Sequence, residues 1–425
     1  MRKVLFLTVI ALLSVGTLSA QSRVLRDARR ALHNNDFREA RTLIQQAAEH
    51  PETANNPETW RIKGDIGNRV FDNQVTRAML GQEVNQREMY DGLFESFAPY
   101  VKADSLGQIP DARGRVRNPV RRDIASTMRA NHQHFINGGV FFYEADNFSR
   151  AADFFEIFWN IPTLPMFEGT NVFEFDETFQ TMKYFAVVMA LQAEQYPRAL
   201  AMMNRILNEP FIPNDEFTES DIFELMAQTY QAQGDSIGFS RVLQAGAARF
   251  PDNEFFALNF IAELIASAEY QRAIEYIDRA VAANPALTCV LISVKGSLLA
   301  EQGDLEAADR EFRRVLSIDP HCERALELLA RSYIIRAQDL REASLTLSRA
   351  EQVAVDGQVL ELYQAALPLL ETLDRVLQSR TTTQHEFNNV LFLLRNVYSN
   401  LSFLGVDKSA QLEAVEGRLP EEYLQ

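Results

Sequence analysis

The 425-residue sequence has two cysteines, two tryptophans and six histidines, and these scarcities remove whole classes of protein. Two cysteines cannot build the disulfide framework of a small secreted scaffold. Six histidines leave few ways to hold a transition metal. His132 and His134 are two apart, so on a helix they point in different directions. His33, His50, His321 and His385 show no ligand spacing with either cysteine. There is no glycine-rich phosphate loop, no Gly-x-Ser-x-Gly elbow and no His-Glu-x-x-His helix. The sequence therefore reads as non-catalytic, with neither cofactor nor metal. Sites assembled from distant residues leave no such motif and fall outside that reading. Basic residues are also in deficit, 42 Lys and Arg against 58 Asp and Glu. A formal charge of −16 disfavours nucleic acid, whose phosphates require a basic surface.

Glycine and proline are few and fall at turns, which fits a chain built almost wholly of helices. Long apolar runs are confined to one place. Arg2 and Lys3 precede Val4 to Val15, apolar apart from Thr8 and Ser14, and small residues follow at Gly16, Thr17, Ser19 and Ala20. This stretch is short for a membrane span and reads as a secretory signal peptide, cleaved after Ser19 or Ala20. No cysteine lies near that point, so a lipid-anchored N-terminus is not expected, nor is a transmembrane segment. The expected location is the periplasm, with secretion or outer-membrane association as alternatives.

What is abundant is a repeated helical unit. Gly296, the Gly303-Asp304 turn, Ala308, Phe312, Val315 and Asp319-Pro320 define one copy. Ala273, Ile277, Ala280 and Pro285 fill the matching second-helix slots before it, and Ala227, Tyr230, Gly234, Gly246 and Pro251 repeat the pattern once more. The closing prolines 251, 285 and 320 are spaced 34 and 35 residues apart. A helical period of that length, with small residues at the helix crossing and proline at the end, resembles the tetratricopeptide repeat. The resemblance covers about Ser22 to Leu404. Lys102-Ala103-Asp104, Asn137-Gly138-Gly139 with Ile161-Pro162-Thr163-Leu164-Pro165, and Tyr363 to Glu371 resemble exported tetratricopeptide-repeat proteins of Bacteroidetes.

The resemblance implies an all-α, right-handed superhelix of helix-turn-helix repeats with loop insertions in its N-terminal half. The expected order is a signal peptide (1–20), repeats with insertions (21–163), an aromatic linker (164–176), a regular array (177–355) and C-terminal capping helices (356–425). Helix breaks are expected at Asp72–Arg87, after Ala337 and at Pro368, and Pro119 is expected to open a helix reaching Glu144. Cys289 and Cys322, about one repeat apart, should exceed the roughly 7 Å Cα limit for bridging and remain free, buried thiols.

In this fold the first helix of each unit lines a concave face, where a protein partner of unstated identity would bind. Overlaying the repeat places Ile136, Val140, Tyr143, Tyr184, Val188, Glu224, Gln228 and Gln231 there. Leu258, Ala262, Ile265, Ser293, Ser297, Glu327 and Arg331 follow. The lysine and asparagine that grip a peptide carboxylate in some tetratricopeptide domains are missing. Alternatively, Leu258 and Ile265 are core and the register is one residue off. Two insertions compete with the groove. Arg113, Arg115, Arg117, Arg121 and Arg122 could meet an acidic partner, a lipid head group or a lipopolysaccharide phosphate, or simply balance neighbouring carboxylates. Phe167, Phe173 and Phe175 could plug a helical seam or present an aromatic platform, as in glycan-capturing outer-membrane proteins of the same bacteria.

Overall fold

The structure is a computed structural model that describes residues 23–420 except 213, 215, 216, 381 and 382. The expected signal peptide lies outside those residues. The chain divides into two compact units, one ending at Ile222 and one starting at Phe223. Among the described residues every regular element is helical. The fold is all-α, made of helical hairpins that stack on one another.

The first unit contains α1 (residues 23–33), α2 (Phe37–Glu49), α3 (Pro57–Met79), α4 (Gln86–Gly107), α5 (Arg121–Glu144), α6 (Phe148–Asn160), α7 (Glu177–Gln192) and α8 (Tyr196–Asn208). Helix α9 (Glu219–Ala232) runs across the division. The second unit continues with α10 (Ser236–Arg249), α11 (Glu254–Ala266), α12 (Tyr270–Ala283), α13 (Thr288–Glu301) and α14 (Leu305–Ile318). It closes with α15 (Glu323–Ser344), α16 (Arg349–Gln378), α17 (Gln384–Phe403) and α18 (Ser409–Glu416).

One turn recurs. At Asn35, Asp146, Glu194, Gly234, Ala268, Gly303 and Gly405 the backbone enters the left-handed region, with φ between 54° and 88°. The next residue's N–H then reaches back five positions, as from Asp36 to Ala31 (2.9 Å), Glu269 to Leu264 (2.8 Å) and Asp304 to Leu299 (2.9 Å). This closing bond satisfies carbonyls that the helix end leaves open. Many of the following helices then start on an Asp or Asn whose side chain accepts an N–H of the first turn. Asp36, Asn147, Asp235 and Asp304 do so, and each supplies one of the acceptors a helix start lacks.

Packing inside a hairpin explains the small residues of the repeat. Ala273, Ile277 and Ala280 of α12 and Ala308, Phe312 and Val315 of α14 are buried. A Cβ on Gly296 would stand 2.3 Å from the Phe312 ring, so only glycine lets α13 and α14 approach this closely.

Several expected breaks do not occur. Helix α3 runs unbroken to Met79, and only residues 80–85 separate it from α4. Residues 72–79 therefore form extra helical turns rather than a loop, with 76–79 exposed. Helix α15 continues through Gln338-Asp339 to Ser344, because nothing there breaks a helix and Ala337 stays buried. Pro368 sits inside α16 without ending it, since α15 and α17 pack against that helix along its length. At the other end, Pro119 and Val120 stay outside α5, which starts at Arg121.

Candidate interaction groove

The first unit holds an apolar trough between α5, α6 and α7. Val140 and Tyr143 line it from α5, Phe148 and Phe155 from α6, and Met182, Phe185, Val188 and Met189 from α7, around a cavity of about 480 Å³. Glu144 and Gln192, the last residues of α5 and α7, add polar groups to the lining. Gly138 and Gly139 set the geometry. A Cβ on Gly138 would lie 2.3 Å from the Phe154 ring, and one on Gly139 2.5 Å from Phe155, so α6 seats tightly against α5. With that side closed, Val140 and Tyr143 are left on the surface, Tyr143 at 51% exposure, facing Phe185 at 37%. Large apolar side chains this exposed and this clustered are uncommon on a surface with no partner.

The structure brings Val140, Tyr143 and Val188 together, and Ile136 sits half-buried one turn earlier. Tyr184 goes elsewhere, stacking on Phe217 with ring centroids 4.3 Å apart. Its neighbour Phe185 lines the trough, and the repeat overlay missed it by one residue.

The second unit treats its positions differently. Leu258 and Ile265 are half-buried, while Ala262, Gln228 and Gln231 are exposed. Glu224 accepts from Asn253 Nδ2 at 2.7 Å. Arg331 and Glu327 pair with each other at 2.7 Å. Ser293, expected in the groove, is fully buried and donates to the Cys289 carbonyl, and Ser297 donates to the Ser293 carbonyl.

Cys289 and Cys322 form a disulfide, with Cα atoms 5.7 Å apart. The expectation of free thiols is overturned, and the reason is topological. Residues one repeat apart occupy equivalent places on successive first helices, and here those places face each other. Cys289 lies in the first turn of α13, and Cys322 is the residue immediately before α15. The Asp319 carboxylate is close to both sulfurs. With the sulfurs bonded to each other, the group offers no thiolate pair.

The two insertions are built differently. Arg121 pairs with the buried Asp104 at 2.7 Å, and Asn118 Nδ2 donates to the same carboxylate. Arg115 pairs with Asp111 at 3.2 Å. In the aromatic insertion Phe167 is buried and meets Phe173 edge-on at 4.8 Å, and Phe173 in turn meets His132 at 4.7 Å. Phe175 is 58% exposed, with its ring edge-on to Phe179. Two of the three rings therefore plug the fold. His132 stacks on Phe158 and His134 packs on Phe71, so the pair diverges as its spacing dictates. Burial holds both imidazoles below their ordinary pKa.

One cluster left no trace in the sequence pattern. Lys183, a buried lysine, pairs with Glu209 at 2.7 Å, and Trp159 Nε1 and Arg205 also donate to that carboxylate. Burial acts to raise the Glu209 pKa, but the Lys183 and Arg205 hydrogen bonds outweigh it and the pKa is lowered.

A family model described as tetratricopeptide repeat matches residues 293–322. The chain carries a tetratricopeptide repeat. The matched residues span most of α13 and all of α14, with Gly296, Gly303 and Phe312 in the places described above. No curated protein matches the chain. Among solved structures, the C-terminal part of a tetratricopeptide-repeat protein from Cytophaga hutchinsonii is 14% identical, covering 68% of this chain and 98% of that one, with a TM-score of 0.40. YrrB, a tetratricopeptide-repeat protein with an unusual peptide-binding site, is 14% identical, with coverages of 49% and 96% and a TM-score of 0.30. The TPR2AB-domain:pHSP90 complex of yeast Sti1 gives 15%, 64%, 99% and 0.23.

Proposed function

We propose that this protein is a non-catalytic, exported scaffold that holds a protein partner by an apolar segment laid in the trough of its first unit. The observation that carries the reading is the convergence of Val140, Tyr143, Phe185 and Val188 on one cavity whose lining is mostly apolar. Such a trough accepts one face of an amphipathic helix or the alternate side chains of an extended peptide. It is formed by stacked helices before any partner arrives, so little ordering opposes binding. Export is supported by the N-terminal segment and by the Cys289–Cys322 bond, since disulfides persist in oxidising compartments. Within that reading the periplasm is the favoured compartment.

The test is a photo-crosslinker at Phe185 in the full chain in cells, with and without Val140→Asp plus Val188→Asp. Both positions are partly exposed, so the variant should fold and lose its main crosslinked protein. A crosslink kept at full strength by the folded variant overturns the groove reading.

A further inference from the structure

We infer that the loop between α4 and α5 is a docking element for an anionic phospholipid bilayer, independent of the trough. Between Gln108 and Arg122 there are five arginines and one carboxylate, Asp111, in a chain of formal charge −16. Two of the arginines have structural work, Arg121 on Asp104 and Arg115 on Asp111. Arg113, Arg117 and Arg122 are exposed, and no carboxylate among the described residues pairs with them. Arg122 also stands in the first turn of α5, where the helix dipole disfavours a cation, so its place there is not explained by stability.

The loop is held in one shape. Asp111 Oδ1 accepts the N–H of Arg113 at 2.8 Å and of Arg115 at 3.0 Å, and the Asp111 N–H donates to the Arg115 carbonyl at 2.9 Å. Gly114 has φ +72°, a conformation open to glycine and strained for other residues. At its far end Asn118 is tied to Asp104 and accepts from the Arg121 N–H. The arginines are therefore presented on a pre-formed turn.

Exposed apolar side chains decide between an acidic protein and a membrane. Ile109 is 64% exposed and Val116 50%, flanking the free arginines. Guanidinium groups seek phosphates at the headgroup level, and an aliphatic pair beside them gains by entering the acyl boundary. A partner met through charge alone would leave that aliphatic pair in water.

The experiment is co-sedimentation of the full chain with vesicles of phosphatidylcholine alone or with one-third phosphatidylglycerol. The Val4–Val15 segment, if present, binds both kinds, so the readout is the ratio of the two affinities. Each basic residue near an anionic surface raises affinity roughly fivefold, so three give a ratio on the order of 100 at low salt. Arg113→Ala plus Arg117→Ala plus Arg122→Ala should bring the ratio close to one without changing the circular dichroism spectrum. Ile109→Ser plus Val116→Ser should weaken binding to the anionic vesicles several-fold and leave the preference for them. A wild-type ratio near one, or an unchanged ratio in the arginine variant, overturns the proposal. So does full vesicle affinity in the Ile109 and Val116 variant together with displacement by soluble polyglutamate, which would mark the loop as a site for acidic protein.

Discussion

Breaking the Cys289–Cys322 bond should loosen one hairpin of the second unit and leave the first unit alone. The bond closes a segment with a sequence separation of 33 residues, containing α13 and α14. On the chain-entropy account, a loop of that length removes about 3.7 kcal/mol of freedom from the unfolded chain at 25 °C. Cys289→Ser plus Cys322→Ser is the cleaner perturbation, because Ser293 Oγ lies beside Cys322 and can accept a buried hydroxyl. Native-state hydrogen exchange resolves the effect by segment, which matters because stacked repeats open locally rather than all at once. Protection across α13 and α14 should fall by about 3–4 kcal/mol, with the amides of α1 to α8 unchanged. Reducing the wild type should reproduce the pattern. Two reactive thiols in protein purified from an oxidising compartment, or equal protection in the two proteins, would refute the reasoning.

Three further outcomes are expected. Glu209→Ala leaves Lys183 buried without its carboxylate and should destabilise the first unit by about 3 kcal/mol in urea unfolding, whereas Lys183→Met should cost less. Because the folded Glu209 pKa lies below its ordinary value, its contribution is fully present above the unfolded value, and acidification removes it as pH falls through the folded pKa; Glu209→Gln should flatten that part of the pH–stability curve. Ala268→Gly should stabilise the α11–α12 hairpin by about 0.5–1 kcal/mol, because alanine at φ +57° carries a steric penalty that glycine does not; a lower melting temperature would contradict this.

The hairpins between Glu254 and Ile318 were legible because their small residues sit at crossings where a Cβ has no room, as Gly296 against Phe312 shows. Helices α15 and α16 were not, since residues 337–339 offer equally good material for a turn or for three more residues of helix, and packing chose the helix. The groove was partly legible. Val140, Tyr143 and Val188 follow the repeat register, while Tyr184 and Phe185 are adjacent aromatics whose roles only the neighbouring Phe217 distinguishes. Sequence distance misled on the cysteines, because equivalent positions in successive repeats are far apart along the chain and neighbours in the fold. The Lys183–Glu209 pair follows no repeat spacing, so no periodic pattern announces it.

The hairpin turns of the first unit bear on where such a chain can change. Residues 34–36, 145–147 and 193–195 link the two helices of a pair, and all three keep one backbone form. The basic and aromatic insertions instead follow α4 and α6, where one pair hands over to the next. Antiparallel alternation within the unit brings those handovers out on one rim, so that rim can grow new surface, while the opposite rim keeps the three-residue turn at every link but the longer one at 80–85. A sensor, tag or foreign epitope grafted after residue 109 or residue 169 should therefore leave the stacking intact, and the same graft at residue 146 should not.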